Sequence, residues 1–334
     1  MSETTSGGGD DRAADRAADF ERVYAREIAP HARDMEAKRQ TRVAAFYRRI
    51  GLSVPLIALA AGALYTVGFL QSDPLWSGIG LVVAAAAAGY WISRPATRHR
   101  EELKDLVIAP ICRFLGDLEY SRTAKGGFNT GRFEEAGVVG HHNRSKLEDL
   151  FTGRHRATGF RMVEARLRRR RRGRRNSGSS TVFKGLLFDI EVPTPFSCRV
   201  LIASDKGGLV NRMEGFFRDK FGDTAPVAFD HPAFEARYEV YSDDDAAARA
   251  LLTPALLDSL VALCEAAEEE ALRAAFMNGR FLLALPNRKD LFEIGKLHRS
   301  LEHLEEDVRV LLAQVTLPHR VIDYLHGDRP GLMP

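Results

Sequence analysis

The sequence predicts an α+β protein: a two-helix transmembrane hairpin, then a cytoplasmic α+β domain with a mostly antiparallel sheet and a long C-terminal helix. Three observations carry this. Residues 50–70 and 75–93 are uncharged runs of 21 and 19 residues joined by a four-residue link. Short apolar or alternating runs bounded by Gly, Pro, Ser and Asp follow, the pattern of strands and turns. Toward the C-terminus, apolar residues recur at spacings of three and four, the pattern of a helix.

With 334 residues and 45% hydrophobic content, the chain is long and apolar enough to bury a core. A mean hydropathy of −0.22 averages over two apolar blocks and so does not decide the class. The net charge is +3, yet residues 161–175 hold nine arginines and one glutamate, a net +8 that leaves −5 for the remainder. The chain therefore lacks the distributed positive field of a dedicated nucleic-acid binder. Cys112, Cys198 and Cys264 lie far apart without CxxC spacing, which argues against a disulfide framework or zinc site and for buried thiols in a reducing compartment. The first 20 residues are polar and Ala-rich, without the apolar core of a signal peptide.

Taken in order, residues 1–19 offer almost no bulky apolar side chains and are expected to be a disordered tail. Residues 20–49 read as a juxtamembrane helix whose apolar stripe (Phe20, Val23, Tyr24, Ile28) is broken near Pro30. Each uncharged run makes a helix of about 30 Å, matched to the hydrocarbon core. The link 71–74 is short enough to force antiparallel neighbours. Lys38, Arg39, Arg42, Arg48 and Arg49 precede the first run, Arg94, Arg98, Arg100 and Lys104 follow the second, and the link carries no Lys or Arg. This asymmetry places both termini in the cytoplasm. Tyr47, Trp76, Tyr90 and Trp91 fall where an interfacial aromatic belt belongs, and Gly80, Ala84 and Ala88 form a small-residue stripe facing Ala58 and Gly62.

Residues 94–118 read as a cytoplasmic helix, with Leu103, Val107, Ile111 and Leu115 on one stripe. The α+β domain, 119–327, is expected to hold strands at 158–167, 181–192, 197–204 and 233–241. Two helical segments meet at Thr253 and Pro254, an N-cap followed by proline at the first helical position. Residues 271–286 form a hairpin turning at Asn278 and Gly279. The heptad seam Leu297, Leu301, Leu304, Val308, Leu311 and Val315 marks a long C-terminal helix, packed within the chain or paired as a coiled coil, and 328–334 is a tail.

Phe20 onward, the chain resembles a family of bacterial membrane proteins known as domain of unknown function family 3137. The resemblance rests on the helix before the hairpin, the hairpin itself, the run Val182-Phe183-Lys184-Gly185-Leu186-Leu187-Phe188, and Val240-Tyr241-Ser242-Asp243 followed by Leu251-Leu252-Thr253-Pro254-Ala255-Leu256. The family pattern flanks the Ala248–Arg249 pair with Glu and Tyr, where this chain has Ala247 and Ala250. The resemblance implies the bacterial inner membrane and the topology above, and no activity, substrate or catalytic residue.

No motif points to catalysis, a cofactor or a metal. Adjacent His141 and His142 are expected to point apart, and His298 does not share a helical face with His303. Lys125-Gly126-Gly127 with Gly131 lacks phosphate-loop spacing, and Asp243, Asp244 and Asp245 read as helix-start carboxylates. The leading expectation is a non-enzymatic, membrane-anchored binding or scaffold module with an unknown protein partner. An enzyme acting on a membrane-associated substrate is the alternative. A second alternative is anionic lipid, or less favourably nucleic acid, held by Arg166, Arg168, Arg169, Arg170, Arg171, Arg172, Arg174 and Arg175, taken as an exposed loop between two strands.

Overall fold

The computed structural model describes residues 18–66, 74–124, 126–172, 177–204, 224–266, 272–287, 292 and 294–326. Residues 1–17 of the expected N-terminal tail, the tail 328–334, most of the link 71–74 and the tip of the arginine segment lie outside the described residues, while residues 18 and 19 of the expected tail are helical. The contacts divide the chain into two units, one comprising Cys112–Phe292 and Leu311–Pro334, the other Ala18–Ile111 and Glu293–Val310.

In the second unit the chain is helical from residue 18, passes through a π-helical turn at Tyr24–Ile28, and continues as α1 (Ala29–Thr66). Pro30 causes the wide turn: it has no N–H to donate and crowds the carbonyl four residues back, so the Ala29 N–H bonds the Tyr24 carbonyl instead. The stripe is widened there and the helix is not cut. Helix α2 (Pro74–Leu115) contains Pro95 and Pro110 and is one continuous element, where a separate helix at 94–118 was expected. Pro95 leaves the Trp91 carbonyl without its helical donor, and Arg49 Nη1 on α1 supplies one at 2.6 Å. Helix α2 ends three residues early because Gly116 adopts φ +66°, a glycine C-cap, and Leu118 already begins a strand.

Both helices are long and apolar enough to cross a membrane, by length and composition. The small-residue stripe does not bring them together, since a Cβ at Gly62 or Gly80 would meet nothing within 4 Å. Away from the apolar runs, this unit buries Phe20, Ile28, Met35, Leu103, Val107 and Ile108.

The C-terminal seam forms a 3-10 turn (Leu301–His303), α7 (Leu304–Val315) and α8 (Leu317–Leu325), so the expected long helix is two short ones. Pro318 in the first turn of α8 explains the break at Thr316. Every seam residue is buried within the chain, from 0% exposure at Val308 and Val315 to 7% at Leu301, which leaves no apolar stripe for a second helix.

The first unit is built on an antiparallel sheet of nine strands among the described residues: β1 (Leu118–Thr123), β2 (Arg144–His155), β3 (Thr158–Arg172), β4 (Ser177–Glu191), β5 (Val200–Ser204), β6 (Ala225–Pro226), β7 (Tyr238–Ser242), β8 (Arg273–Met277) and β9 (Arg280–Pro286). Their spatial order is β1-β2-β3-β4-β9-β8-β5-β7-β6. The β8–β9 hairpin turns where Asn278 (φ 52°) and Gly279 (φ 71°) supply the positive φ angles of a type I′ turn. The expected strand at 233–241 opens as a short helix, α4 (Pro232–Glu235), because His231 Nδ1 caps the Phe234 N–H and Pro232 sets the first turn. Helices α5 (Asp245–Leu251) and α6 (Pro254–Ala266) meet at Thr253, whose Oγ1 accepts the Leu256 N–H at 3.4 Å.

Alternation sends Val163, Ala165, Leu167, Leu187, Leu282 and Ala284 to one sheet face, where they pack with Phe133 of α3 (Thr130–Glu135), Val138 and Val139. On the other face Phe160, Met162, Phe151, Phe188, Ile190 and Phe281 are buried, and α8 lays His319 edge-on to Phe160 at 5.4 Å.

Candidate functional site

As far as Arg172 the arginine segment is a strand. Residues 166–172 extend β3, with Arg168 opposite Thr181, Arg169 opposite Ser180, Arg170 opposite Ser179, Arg171 opposite Gly178 and Arg172 opposite Ser177. A loop was expected because like charges repel. The backbone is held instead by β4 and by Asn143, whose side chain donates to the Arg170 carbonyl and accepts its N–H, both at 2.9 Å. Arg166, Arg168, Arg169 and Arg170 are exposed. Arg174 and Arg175 lie outside the described residues, as do the side chains of Arg171 and Arg172.

Register adds cations that the arginine run does not contain. Directly opposed residues in an antiparallel pair share a face. Arg144 lies opposite Arg168, and Lys146 opposite Arg166, which in turn faces Lys184. Arg144, Lys146, Arg166, Arg168 and Lys184 thus occupy two successive rungs across three strands. The next rung inward pairs Glu148 with Glu164, and beyond a bulge at Asp149 and Leu150 comes the apolar rung of Phe151, Met162 and Phe188. Along one face the sheet therefore passes from buried apolar core through two carboxylates to five cations at its rim. Lys146 pairs with Glu148 at 2.5 Å, both more than a third exposed, so this pair contributes little to stability.

The other titratable groups are placed by the fold. Asp244 caps α5 through the Ala247 N–H at 3.0 Å, Asp243 accepts the Arg199 N–H at 2.7 Å, and Asp245 pairs with Arg249. His141 and His142 do not point apart: their Nδ1 atoms approach the two oxygens of Glu134 at 2.6 and 3.3 Å. Burial pushes the Glu134 carboxyl up, but the hydrogen bonds from both histidines prevail and hold it below the ordinary range. His298 packs edge-on against Phe46 at 5.2 Å. His155 bonds Asp323 at 2.7 Å and stacks on His319, while Thr158 Oγ1 meets His326 at 3.0 Å, fastening the β2–β3 turn to α8. Among the described residues no group of three His, Cys, Asp or Glu could hold a metal ion. A cleft lined by Ala136, Leu201, Tyr241, Ala275 and Met277 has Arg199 as its one charged lining residue, and gathers no acid–base pair. Burial pushes the Cys112 thiol up to about 11 and raises that of Cys198, so neither is a poised nucleophile.

The second unit holds a separate, half-buried polar cluster. Arg39 pairs with Glu36 at 2.6 Å and donates to the Leu297 carbonyl at 2.8 Å, and Arg42 pairs with Glu102 at 2.6 Å. His99 lies among them at 0% exposure, with neither ring nitrogen hydrogen-bonded. Burial, then repulsion from Arg42 and Arg39, lowers its pKa below the ordinary 6.5, against the opposing pull of Glu102 and Glu36. The unfolded chain therefore binds a proton there that the folded chain resists. The contribution of neutral His99 to stability is complete above pH 6.5 and is lost as pH falls below that value toward the folded pKa. Thermal melting of the full chain in detergent is expected to show a lower Tm at pH 5.5 than at pH 7.5, and His99→Phe is expected to shrink that difference. An unchanged difference would place the pH sensitivity elsewhere.

Among curated proteins nothing matches the chain. The crystal structure of the mycobacterial trehalose monomycolate transport factor A, TtfA, aligns with 64% of this chain and 91% of its own at 11% identity and a TM-score of 0.30. Neither fold nor role follows from a likeness at that level. The run from Val182 to Phe188 and the Thr253–Pro254 helix start both fall inside one matched segment. Residues 181–326 match the model of the family described as Protein of unknown function (DUF3137), which bears out the resemblance over that stretch and leaves the apolar helices outside the match.

Proposed function

We propose that this is a two-span integral membrane protein whose α+β domain lies on the cytoplasmic side and acts as a non-enzymatic binding module. The observation that carries the reading is where the exposed apolar surface lies. Leu52, Val54, Leu56 and Leu59 on α1, with Ile79, Leu81, Val82 and Val83 on α2, are 45% to 73% exposed, and among the described residues beyond 91 only Val310 is a comparably exposed large hydrophobic. Burying such a side chain contributes about 1.5–3 kcal/mol. A water-soluble helix pair would forgo that eight times over, whereas hydrocarbon recovers it. At the base of the pair Arg49 lies over the Trp91 ring at 5.0 Å and Arg94 over Tyr90 at 5.6 Å, an arrangement suited to the bilayer interface.

The nine Lys and Arg flanking the runs orient both termini inward, in a bacterial inner membrane on this reading. A reporter active only in the cytoplasm, fused after Pro334, is expected to be active, and the fusion to stay in the membrane pellet after alkaline carbonate extraction. Release by carbonate would end the two-span reading; a pelleted but inactive fusion would reverse its orientation. The binding reading draws on the rim of five cations that the strand register assembles on one face.

A further inference from the structure

We propose that the sheet rim formed by Arg144, Lys146, Arg166, Arg168 and Lys184 docks flat on anionic phospholipid headgroups of the leaflet to which the chain is tethered, an inference that rests on the two-span reading. The array is a preformed surface. Side chains two apart on a strand stand about 6.6 Å from each other and neighbouring strands about 4.8 Å, so backbone pairing fixes the spacing of the cations before any ligand arrives, with one register shift of β4 between the two rungs. A loop of the same charge would first have to be ordered. The array is graded as well: the carboxylates of Glu148 and Glu164 lie between it and the apolar core, so the positive field is confined to the rim. Arg169 and Arg170 extend the cationic strand past Arg168, opposite Ser180 and Ser179.

The occupant follows from shape and tether. Three strands already span about 10 Å of backbone, and their side chains carry the width past a DNA major groove about 12 Å wide, which admits a two-stranded ribbon. No aromatic side chain stands on the two cationic rungs to stack a base. A negatively charged leaflet is planar, is covered in phosphates and, for an anchored domain, is present at high effective concentration, so an array of moderate intrinsic affinity suffices.

The test uses the full chain in lipid nanodiscs of phosphatidylcholine alone or mixed with an equal share of phosphatidylglycerol. Tryptic cutting within residues 166–175 is measured relative to cutting after the exposed Arg249. Anionic lipid is expected to slow the relative rate about five-fold at low salt, an effect of cations held at a charged surface. It should vanish near 0.5 M salt, where the screening length falls to roughly 4 Å. Lys146→Ser with Lys184→Ser leaves the arginine run intact and is expected to lower the protection at least by half. Equal rates in both discs overturn the proposal, and undiminished protection in the double variant overturns the three-strand array in favour of the arginines alone. Protection by a short DNA duplex in neutral discs, with none from anionic lipid, assigns the rim to nucleic acid. A chain that does not enter discs, seen by size exclusion before protease is added, removes the two-span reading and this proposal with it.

Discussion

Gly185→Ala is expected to destabilise the α+β domain by more than about 4 kcal/mol, in the range reserved for gross backbone or packing failures. Gly185 sits inside β4 with φ +150°, a conformation that a residue with a side chain rarely adopts. A Cβ there would lie 2.1 Å from the Leu285 carbonyl oxygen, 2.7 Å from the Asn287 nitrogen and 2.8 Å from the Pro286 Cα. All three are backbone atoms of β9 or its end, so no rotamer change relieves the clash. Relief requires prising β4 from β9, the two strands that join the β1–β4 half of the sheet to the rest. Denaturant unfolding of the full chain in detergent measures the loss. Gly178→Ala, where a Cβ would meet nothing within 4 Å, serves as the control and is expected to change stability by less than about 0.5 kcal/mol. Similar behaviour of the two variants would mean that β9 does not approach Gly185 this closely.

The same glycine shows how far the sequence could be read. Val182 to Phe188 is visible as a strand from its apolar run, and its place in a family pattern is visible too, but the reason a glycine interrupts it is the approach of a strand 100 residues later. Local signals were legible where chemistry is local: Asn278–Gly279 turns a hairpin, Thr253–Pro254 starts a helix, and 19 uncharged residues stand out in any context. Strand β2 was missed for a local reason. Its sequence, RSKLEDLFTGRH, carries five charged residues apart from its final histidine, and the bulge at Asp149 (φ 53°) breaks the alternation. Its turn into β3 uses Arg156 and Ala157 at φ 51° and 65°, without the Asn or Gly that announces such a turn. The cationic rim was illegible for a non-local reason. Arg144, Lys146 and Lys184 join Arg166 and Arg168 only through register, which the composition of the arginine run cannot disclose. Likewise Glu134 gathers His141 and His142 because the chain folds back after α3, and their adjacency alone suggested divergence.

Arg280→Met is expected to cost about 3–5 kcal/mol, the loss typical when one partner of a buried ion pair is removed. Asp189 on β4 is the buried partner, with its side chain 4% exposed, and Arg280 Nε reaches its Oδ1 at 2.5 Å while Nη2 reaches its carbonyl at 3.4 Å. Without Arg280 the carboxylate keeps Arg132 at 3.4 Å, a cation itself 48% exposed and therefore strongly screened. The charge would remain in the sheet with its desolvation uncompensated. Replacing both partners removes the problem instead of exposing it: Asp189→Leu combined with Arg280→Met places apolar volume beside Leu187 and Leu282, already buried on that face. The double variant is expected to recover at least half of the loss, because a buried pair gains little over well-packed apolar residues. Chemical denaturation of the wild type, both single variants and the double variant completes the cycle. Strictly additive losses would show that the two side chains do not interact.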